Sequence, residues 1–281
     1  MAWRAVSRVL RSPSKLVQDV VTTVFPGDCR VCGGPLLFLM GGPVCLECVG
    51  AVEEQRGLLC DWCGEALGME SERFAGQFRD VRCSGCRMAP PDFVRAVAHG
   101  VYEDELRRMV HLLKYDGVRS VAPVLGAMLA RTVRRLELGP GVVVVAVPLF
   151  PAKERVRGYN QAVVLADAAL RGLKGFVTGH SALRRVKNTE SQFALTPRMR
   201  RMNLRGAFVV ADAAKIAGRE VLLVDDIYTT GATARECARV LMKAGAGRVW
   251  VATLARAQTE GVAAWDGLRV MPWAGAESLQ E

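Results

Sequence analysis

Eight of the nine cysteines in this 281-residue chain lie between residues 29 and 86, and all eight fall into C-x-x-C pairs. The pairs are Cys29/Cys32, Cys45/Cys48, Cys60/Cys63 and Cys83/Cys86. Two intervening residues let both thiolates of a pair turn toward one tetrahedral ion, at metal–sulfur distances of about 2.3 Å. Spacers of 12, 11 and 19 residues between successive pairs suit two sequential four-cysteine zinc ribbons, residues 29–48 and 60–86. A cross-braced arrangement, first pair with third, fits the same spacing. Either way each Zn²⁺ takes four sulfur ligands and keeps no open position, so the two ions read as structural. So small a segment has little core and depends on its metal; a structural zinc contributes on the order of 10–16 kcal/mol of apparent binding energy.

A disulfide framework is the competing reading. It requires an oxidising compartment. The N-terminus, M-A-W-R-A-V-S-R-V-L-R, is basic, and its arginines break any apolar run that could form the core of an export signal. Leu16, Val17, Val20, Val21 and Val24 recur at helical spacing, so residues 1–25 read as an amphipathic docking helix. No apolar stretch approaches the roughly 18–20 residues that a bilayer demands, so no transmembrane segment is expected. The expected location is the cytoplasm. Cys237 sits among alanines on a predicted helix and reads as a small core residue.

Residues 26–88 are therefore expected to form a double zinc ribbon. Met88-Ala89-Pro90-Pro91 breaks the chain, and beyond it the composition shifts. Residues 93–102 read as a strand and 105–114 as a helix with Leu106, Met109, Val110 and Leu113 on one face. A second helix is expected over 119–136. The continuous β-branched run at 142–147 is typical of a strand buried on both faces. A helix over 160–172, strands near 207–210 and 221–224, a helix over 232–244 and a strand over 249–254 complete the pattern. Such alternation predicts an α/β domain over residues 93–258, a parallel sheet with helices on both faces, and ligand binding beyond the carboxyl ends of its strands. Residues 259–281 show no pattern and read as a tail.

The sharpest motif is V-L-L-V-D-D-I-Y-T-T-G-A-T at residues 221–233. It is a buried strand that presents two adjacent carboxylates, Asp225 and Asp226, at its carboxyl end. Thr229, Thr230, Gly231, Ala232 and Thr233 then open a helix. Their backbone N–H groups and hydroxyls can surround a phosphate, helped by the helix dipole, and Gly231 permits close approach. The carboxylates suit a ribose diol and can help hold Mg²⁺. Helix capping alone needs one Asp or Thr; this loop uses two acids, three threonines and a glycine.

Two basic segments precede this cradle in the sequence. Lys153, Arg155 and Arg157-Gly158 follow the strand at 142–147, and the pair Arg157-Gly158 could offer a guanidinium and a free backbone N–H together. Residues 184–205 carry Arg184, Arg185, Lys187, Arg198, Arg200, Arg201 and Arg205 against Glu190 alone, a large share of the net charge of +10. Solvated charged faces are the bland reading of both. The arginine density also suits single-stranded nucleic acid through phosphate neutralisation. His99, His111 and His180 have no partner at metal-ligand or triad spacing and read as structural.

The 221–233 motif resembles the signature of type I phosphoribosyltransferases. With H-L-L-K-Y-D-G at 111–117, V-P-L at 147–149, R-G-Y-N-Q at 157–161, and Thr189, Gln192, Leu195, Arg200, Asn203 and Gly206-Ala207-Phe208, the chain resembles the ComF family over residues 25–256. Lys187 stands where that family more often has arginine, and Phe193-Ala194 replaces a small pair. The resemblance implies that Asp225 and Asp226 contact the ribose hydroxyls of phosphoribosyl diphosphate (PRPP), with Thr229–Thr233 on its 5′-phosphate. Lys153, Arg155, Arg157 and Gly158 would face the diphosphate, and Mg²⁺ would accompany it. It further implies a role in natural competence, handling incoming single-stranded DNA alongside other competence proteins such as a DNA-translocating helicase. Catalytic transfer of ribose phosphate from PRPP to an unknown acceptor is the alternative.

Overall fold

The computed structural model describes residues 27–36, 42–67, 81–189 and 203–258. The expected helix at 1–25 and tail at 259–281 lie outside the described residues.

Seven strands and seven α-helices are described. The helices are α1 (Leu46–Gly50), α2 (Ser84–Met88), α3 (Asp104–Lys114), α4 (Ala122–Arg134), α5 (Pro151–Arg157), α6 (Gln161–Leu170) and α7 (Ala232–Lys243). The strands are β1 (Arg95–Val101), β2 (Val143–Ala146), β3 (Val177–Thr178), β4 (Leu183–Arg185), β5 (Phe208–Val210), β6 (Glu220–Tyr228) and β7 (Arg248–Arg256). Five of the strands form one sheet in the order β1-β7-β6-β2-β3, and every pairing in it is parallel. β4 and β5 pair antiparallel as a separate two-stranded sheet. The strand expected near 207–210 is thus present, but it belongs to this hairpin and not to the parallel sheet.

Because strand side chains alternate, the central strands feed two cores. Val144, Ala146, Leu222, Val224, Ala252 and Leu254 point to one face, where they meet Leu113 of α3, Leu125 and Leu129 of α4 and Leu165 of α6. Val143, Val145, Val221, Leu223, Val249 and Val251 point to the other, onto Cys237 and Leu241 of α7 and Phe208 of β5. Cys237 is fully buried there, as a small apolar residue should be.

The cysteine-rich segment joins both cores. Cys29, Cys48 and Val44 pack on the α3/α4 face, whereas Cys60, Cys63, Cys83 and Cys86 pack on the α7 face. The chain between them crosses the outer edge of β1. Gln55 donates its N–H to the His99 carbonyl at 2.6 Å, and Ala96 donates to the Trp62 carbonyl at 2.7 Å. A Cβ on Gly100 would stand 2.5 Å from the Glu53 carbonyl oxygen, so only glycine admits this crossing. The open edge of a parallel sheet is a liability that needs cover; here the connector between the two cysteine sets supplies it.

Candidate functional site

In each cysteine set the four sulfurs lie within 4.8 Å of one another, and the sets are Cys29/Cys32/Cys45/Cys48 and Cys60/Cys63/Cys83/Cys86. The pairing is therefore sequential, and the cross-braced alternative is excluded. Sulfur–sulfur separations are 3.9 Å for Cys29–Cys48, 3.7 Å for Cys32–Cys45 and 3.7 Å for Cys63–Cys83. Four thiolates at about 2.3 Å around a tetrahedral centre stand roughly 3.8 Å apart, so both sets could hold a metal ion and match zinc. Backbone N–H groups aim at the sulfurs, including Cys45 N to Cys29 Sγ at 3.3 Å and Cys83 N to Cys60 Sγ at 3.3 Å. Such donors favour the thiolate that a metal requires.

The carboxyl end of β6 lies in the middle of the sheet. Asp225 and Asp226 are consecutive, so they leave the strand on opposite faces. Asp226 is buried and pairs with Lys114 at the end of α3, Nζ to Oδ2 3.1 Å. Burial works to lower the Lys114 pKa, but Asp226 and Asp225 outweigh it and leave Lys114 above its ordinary value. Burial and the adjacent Asp226 carboxylate push Asp225 up to about 8. This end of the sheet thus holds two carboxyl groups, of which Asp225 keeps its proton at neutral pH, against one lysine.

The strand then turns through Thr229 and Thr230 into α7. Gly231 is the N-cap in the left-handed region, φ 72°, and a Cβ there would lie 2.0 Å from the Tyr228 hydroxyl. Two independent reasons therefore demand glycine. Asp225, Thr229, Gly231, Ala232 and Thr233 line a small cavity at the start of α7, whose first-turn N–H groups carry the positive end of the helix dipole. The Thr230 hydroxyl is buried without a hydrogen-bond partner among the described residues. A buried donor left unmet is costly, and Thr230 lines a neighbouring cavity together with Cys63, Cys86, Arg235 and Arg256.

The cations expected after β2 lie on α5, a short helix that the sequence reading missed. It buries none of its residues, so no apolar periodicity betrays it. Lys153 and Arg155 are exposed and Arg157 half-buried. Arg157 donates to Gln161 Oε1 in α6. Gly158 requires a correction: its N–H is not free, because it caps α5 by donating to the Glu154 carbonyl at 2.7 Å, with φ 81°. Asn160 accepts from Ala162 N at 2.9 Å and donates to the Val147 carbonyl at 3.0 Å, tying the start of α6 to the end of β2.

The second basic segment is divided. Arg185, on β4, is half-buried, bonds Thr189 Oγ1 and lies over the Phe208 ring, 5.4 Å from its centroid. Lys153 Nζ donates to the Thr189 carbonyl at 3.4 Å. Burial, Arg185 and Arg157 together hold Lys153 below the usual lysine value, and Lys153 and Arg185 meet at Thr189. Burial works to hold Arg185 below the usual arginine value, and the Asp225 carboxylate acts against it. Arg184 is exposed, and Lys187 is exposed with its Nζ on the Arg205 carbonyl at 3.0 Å. Arg198, Arg200 and Arg201 lie outside the described residues.

The histidines have local structural partners. His99 Nδ1 meets Thr132 Oγ1 at 3.1 Å, His111 Nε2 meets the Tyr102 hydroxyl at 2.8 Å, and His180 Nδ1 accepts from Ala146 N at 3.1 Å. What sequence reasoning missed was the link from the second cysteine set to the cradle. Arg256 donates to the Cys63 carbonyl at 2.5 Å and lies 4.5 Å over the Tyr228 ring. Arg235, in the first turn of α7, donates to Cys86 Sγ at 3.3 Å and to the Ala89 carbonyl at 2.5 Å. No periodicity or spacing signals such contacts.

A parallel sheet with paired carboxylates at the end of its middle strand, followed by a glycine-headed helix, defines a phosphoribosyltransferase-type fold. In agreement, the phosphoribosyl transferase domain family matches residues 160–271. DNA utilization protein YhgH of Salmonella typhi is 32% identical over 235 residues, covering 82% of this chain and 97% of that relative. Competence protein F of Haemophilus influenzae is 30% identical over 224 residues, 76% of this chain and 96% of the relative. Competence protein ComFC of Bacillus subtilis is 26% identical over 204 residues, 72% and 79% respectively. The chain belongs to the ComF family. Among the described residues no helix is long and apolar enough to cross a membrane.

Proposed function

We propose that the protein binds Mg²⁺–PRPP at the carboxyl end of β6 and acts in the cytoplasm in natural competence, handling incoming single-stranded DNA. The observation that carries the ligand is the cradle: Asp225 and Asp226 beside Lys114, then Gly231 and the unpartnered Thr230 hydroxyl at the head of α7. The carboxylates would orient the ribose hydroxyls, and the α7 N–H groups with the Thr229, Thr230 and Thr233 hydroxyls would hold the 5′-phosphate. Lys153 and Arg185, which meet at Thr189, would face the diphosphate. Two acids facing one lysine leave room for a divalent cation, and Mg²⁺ would neutralise charge on the diphosphate. Zinc in both cysteine sets would hold the N-terminal segment on the sheet.

The DNA role is supported by what the relatives are called, a DNA utilization protein and competence proteins, together with the basic charge of residues 184–205. A DNA-translocating helicase is a fitting partner for a protein that receives a single strand. Fluorescence anisotropy with labelled oligonucleotides tests it: binding should weaken steeply with salt and fail when Arg200 and Arg201 are neutralised. Salt-insensitive binding, or none, would remove the DNA role.

The meeting of Lys153 and Arg185 at Thr189 favours a second reading, an active phosphoribosyltransferase. Cations placed where diphosphate departs stabilise the charge that develops as the anomeric bond breaks. Release of diphosphate from PRPP in the presence of a panel of bases and amines, abolished by Asp226→Ala, would establish it.

A further inference from the structure

Tyr115 caps α3 immediately after Lys114, yet the residue is 64% exposed. One exposed aromatic needs no explanation by itself; its neighbours are what distinguish this one. This ring is held in place. His111 meets it edge-on, with centroids 5.0 Å apart, and His111 is itself fixed by the Tyr102 hydroxyl at 2.8 Å. Two cations flank it: Lys114 Nζ lies 5.9 Å from the ring centroid and Arg157 Cζ lies 5.9 Å away. Lys114 is the same group that pairs with Asp226, so the ring borders the ribose carboxylates. Nearby, Tyr159 is anchored through its hydroxyl to the Leu113 carbonyl, and Arg119 lies 5.2 Å over its ring.

We propose that Tyr115, flanked by Lys114 and Arg157, is the subsite for an unpaired nucleobase whose adjoining phosphate is met by Arg157 and Arg119. The chemistry is specific to a flat π-surface joined to an anion. A rigid tyrosine stacks the base at little entropic cost, and the guanidiniums bind the phosphate. A simple anion would need the cations but not the open ring; an apolar peptide would need the ring but not the cations. The base could belong to a single strand or to a free nucleotide, and both present the same face to Tyr115. This inference rests on the proposed function for its choice of ligand, and on the ring and its flanking cations for its place.

The test uses the zinc-loaded full chain, with wild type, Tyr115→Ala and Tyr115→Phe. Three ligands are titrated: a labelled single-stranded oligothymidylate, an abasic oligomer of the same length, and thymidine monophosphate. Stacking on one aromatic predicts that Tyr115→Ala weakens oligothymidylate binding about tenfold, that Tyr115→Phe restores it, and that the abasic oligomer is unaffected. If the wild type binds oligothymidylate and Tyr115→Ala binds it equally well, the subsite is wrong although the DNA role stands. Equal wild-type affinity for the abasic and base-bearing strands would overturn the subsite in the same way. If neither strand binds, the DNA role fails, and thymidine monophosphate decides the subsite: loss of its binding in Tyr115→Ala retains it, and absence of binding to the wild type overturns it.

Discussion

Lys114 Nζ stands 3.1 Å from Asp226 Oδ2, joining the last residue of α3 to the carboxyl end of β6. Both side chains are largely withdrawn from water, so neither can be removed alone without leaving the other charge poorly compensated. Lys114→Gln is expected to destabilise the fold by roughly 2–3 kcal/mol, somewhat less than a fully buried pair because Lys114 is partly exposed. It should also weaken PRPP binding by at least tenfold. Thermal melting and calorimetry on the same sample check both. An unchanged melting temperature would mean that the pair is a surface ornament.

Asp225 provides a pH signature. Burial and the neighbouring Asp226 hold its proton until about pH 8, whereas in the unfolded chain it ionises near pH 4. Between those values the unfolded state has released a proton that the folded state keeps. This group's contribution to stability is therefore present below pH 4 and falls as pH rises toward 8. A Mg²⁺ ion brought beside Asp225 by the ligand would reverse the preference by favouring the carboxylate. Affinity for Mg²⁺–PRPP should accordingly rise from pH 7 to pH 9, with protons released on binding. Calorimetry in buffers of different ionisation enthalpy measures that release; proton uptake would contradict it.

The two cysteine sets are predicted to be functionally unequal. The second reaches the cradle through Arg256 on Tyr228 and through Arg235 in the first turn of α7. The first packs on the opposite face of the sheet. Metal analysis should find about two zincs in the wild type, since each ion takes four thiolates. Cys86→Ser should lower zinc content and PRPP affinity together, whereas Cys32→Ser should lower zinc content alone. By linkage, PRPP should tighten zinc binding at the second set, measured by equilibrium competition with a chelator. Equal effects of the two variants on affinity would remove the coupling.

Gly231→Ala meets two obstacles, the left-handed φ of 72° and the Tyr228 ring, with Tyr228 Cζ only 2.4 Å from the added Cβ. The strain costs on the order of 1–3 kcal/mol and distorts the turn that positions the first α7 N–H groups. Adding Tyr228→Phe should not rescue the variant, because the ring carbons remain. Recovery of stability in the double variant would show that the hydroxyl alone imposes the glycine.

Much of this arrangement was legible from residue order. The helix carrying Leu106, Met109, Val110 and Leu113 and the strand at Val143–Ala146 follow their periodicities closely. The β6–α7 turn was readable because its residue types serve one local purpose. What stayed hidden was non-local or too short to be periodic. β3 and β4 have two and three residues, and α5 has no apolar face. Cysteine spacing does not encode on which face of the sheet each set would settle. Lys114 was readable as the end of a helix, but its pairing with Asp226 depends on how α3 packs across the sheet.

Whether the β6–α7 turn holds a ribose phosphate is decided most directly by calorimetry of the zinc-loaded protein with Mg²⁺–PRPP. Binding is expected at one site per chain, abolished by Asp226→Asn and by Gly231→Ala in protein that remains folded by circular dichroism. Absence of binding to the wild type, or binding that survives both substitutions, would contradict a ribose-phosphate site at this turn.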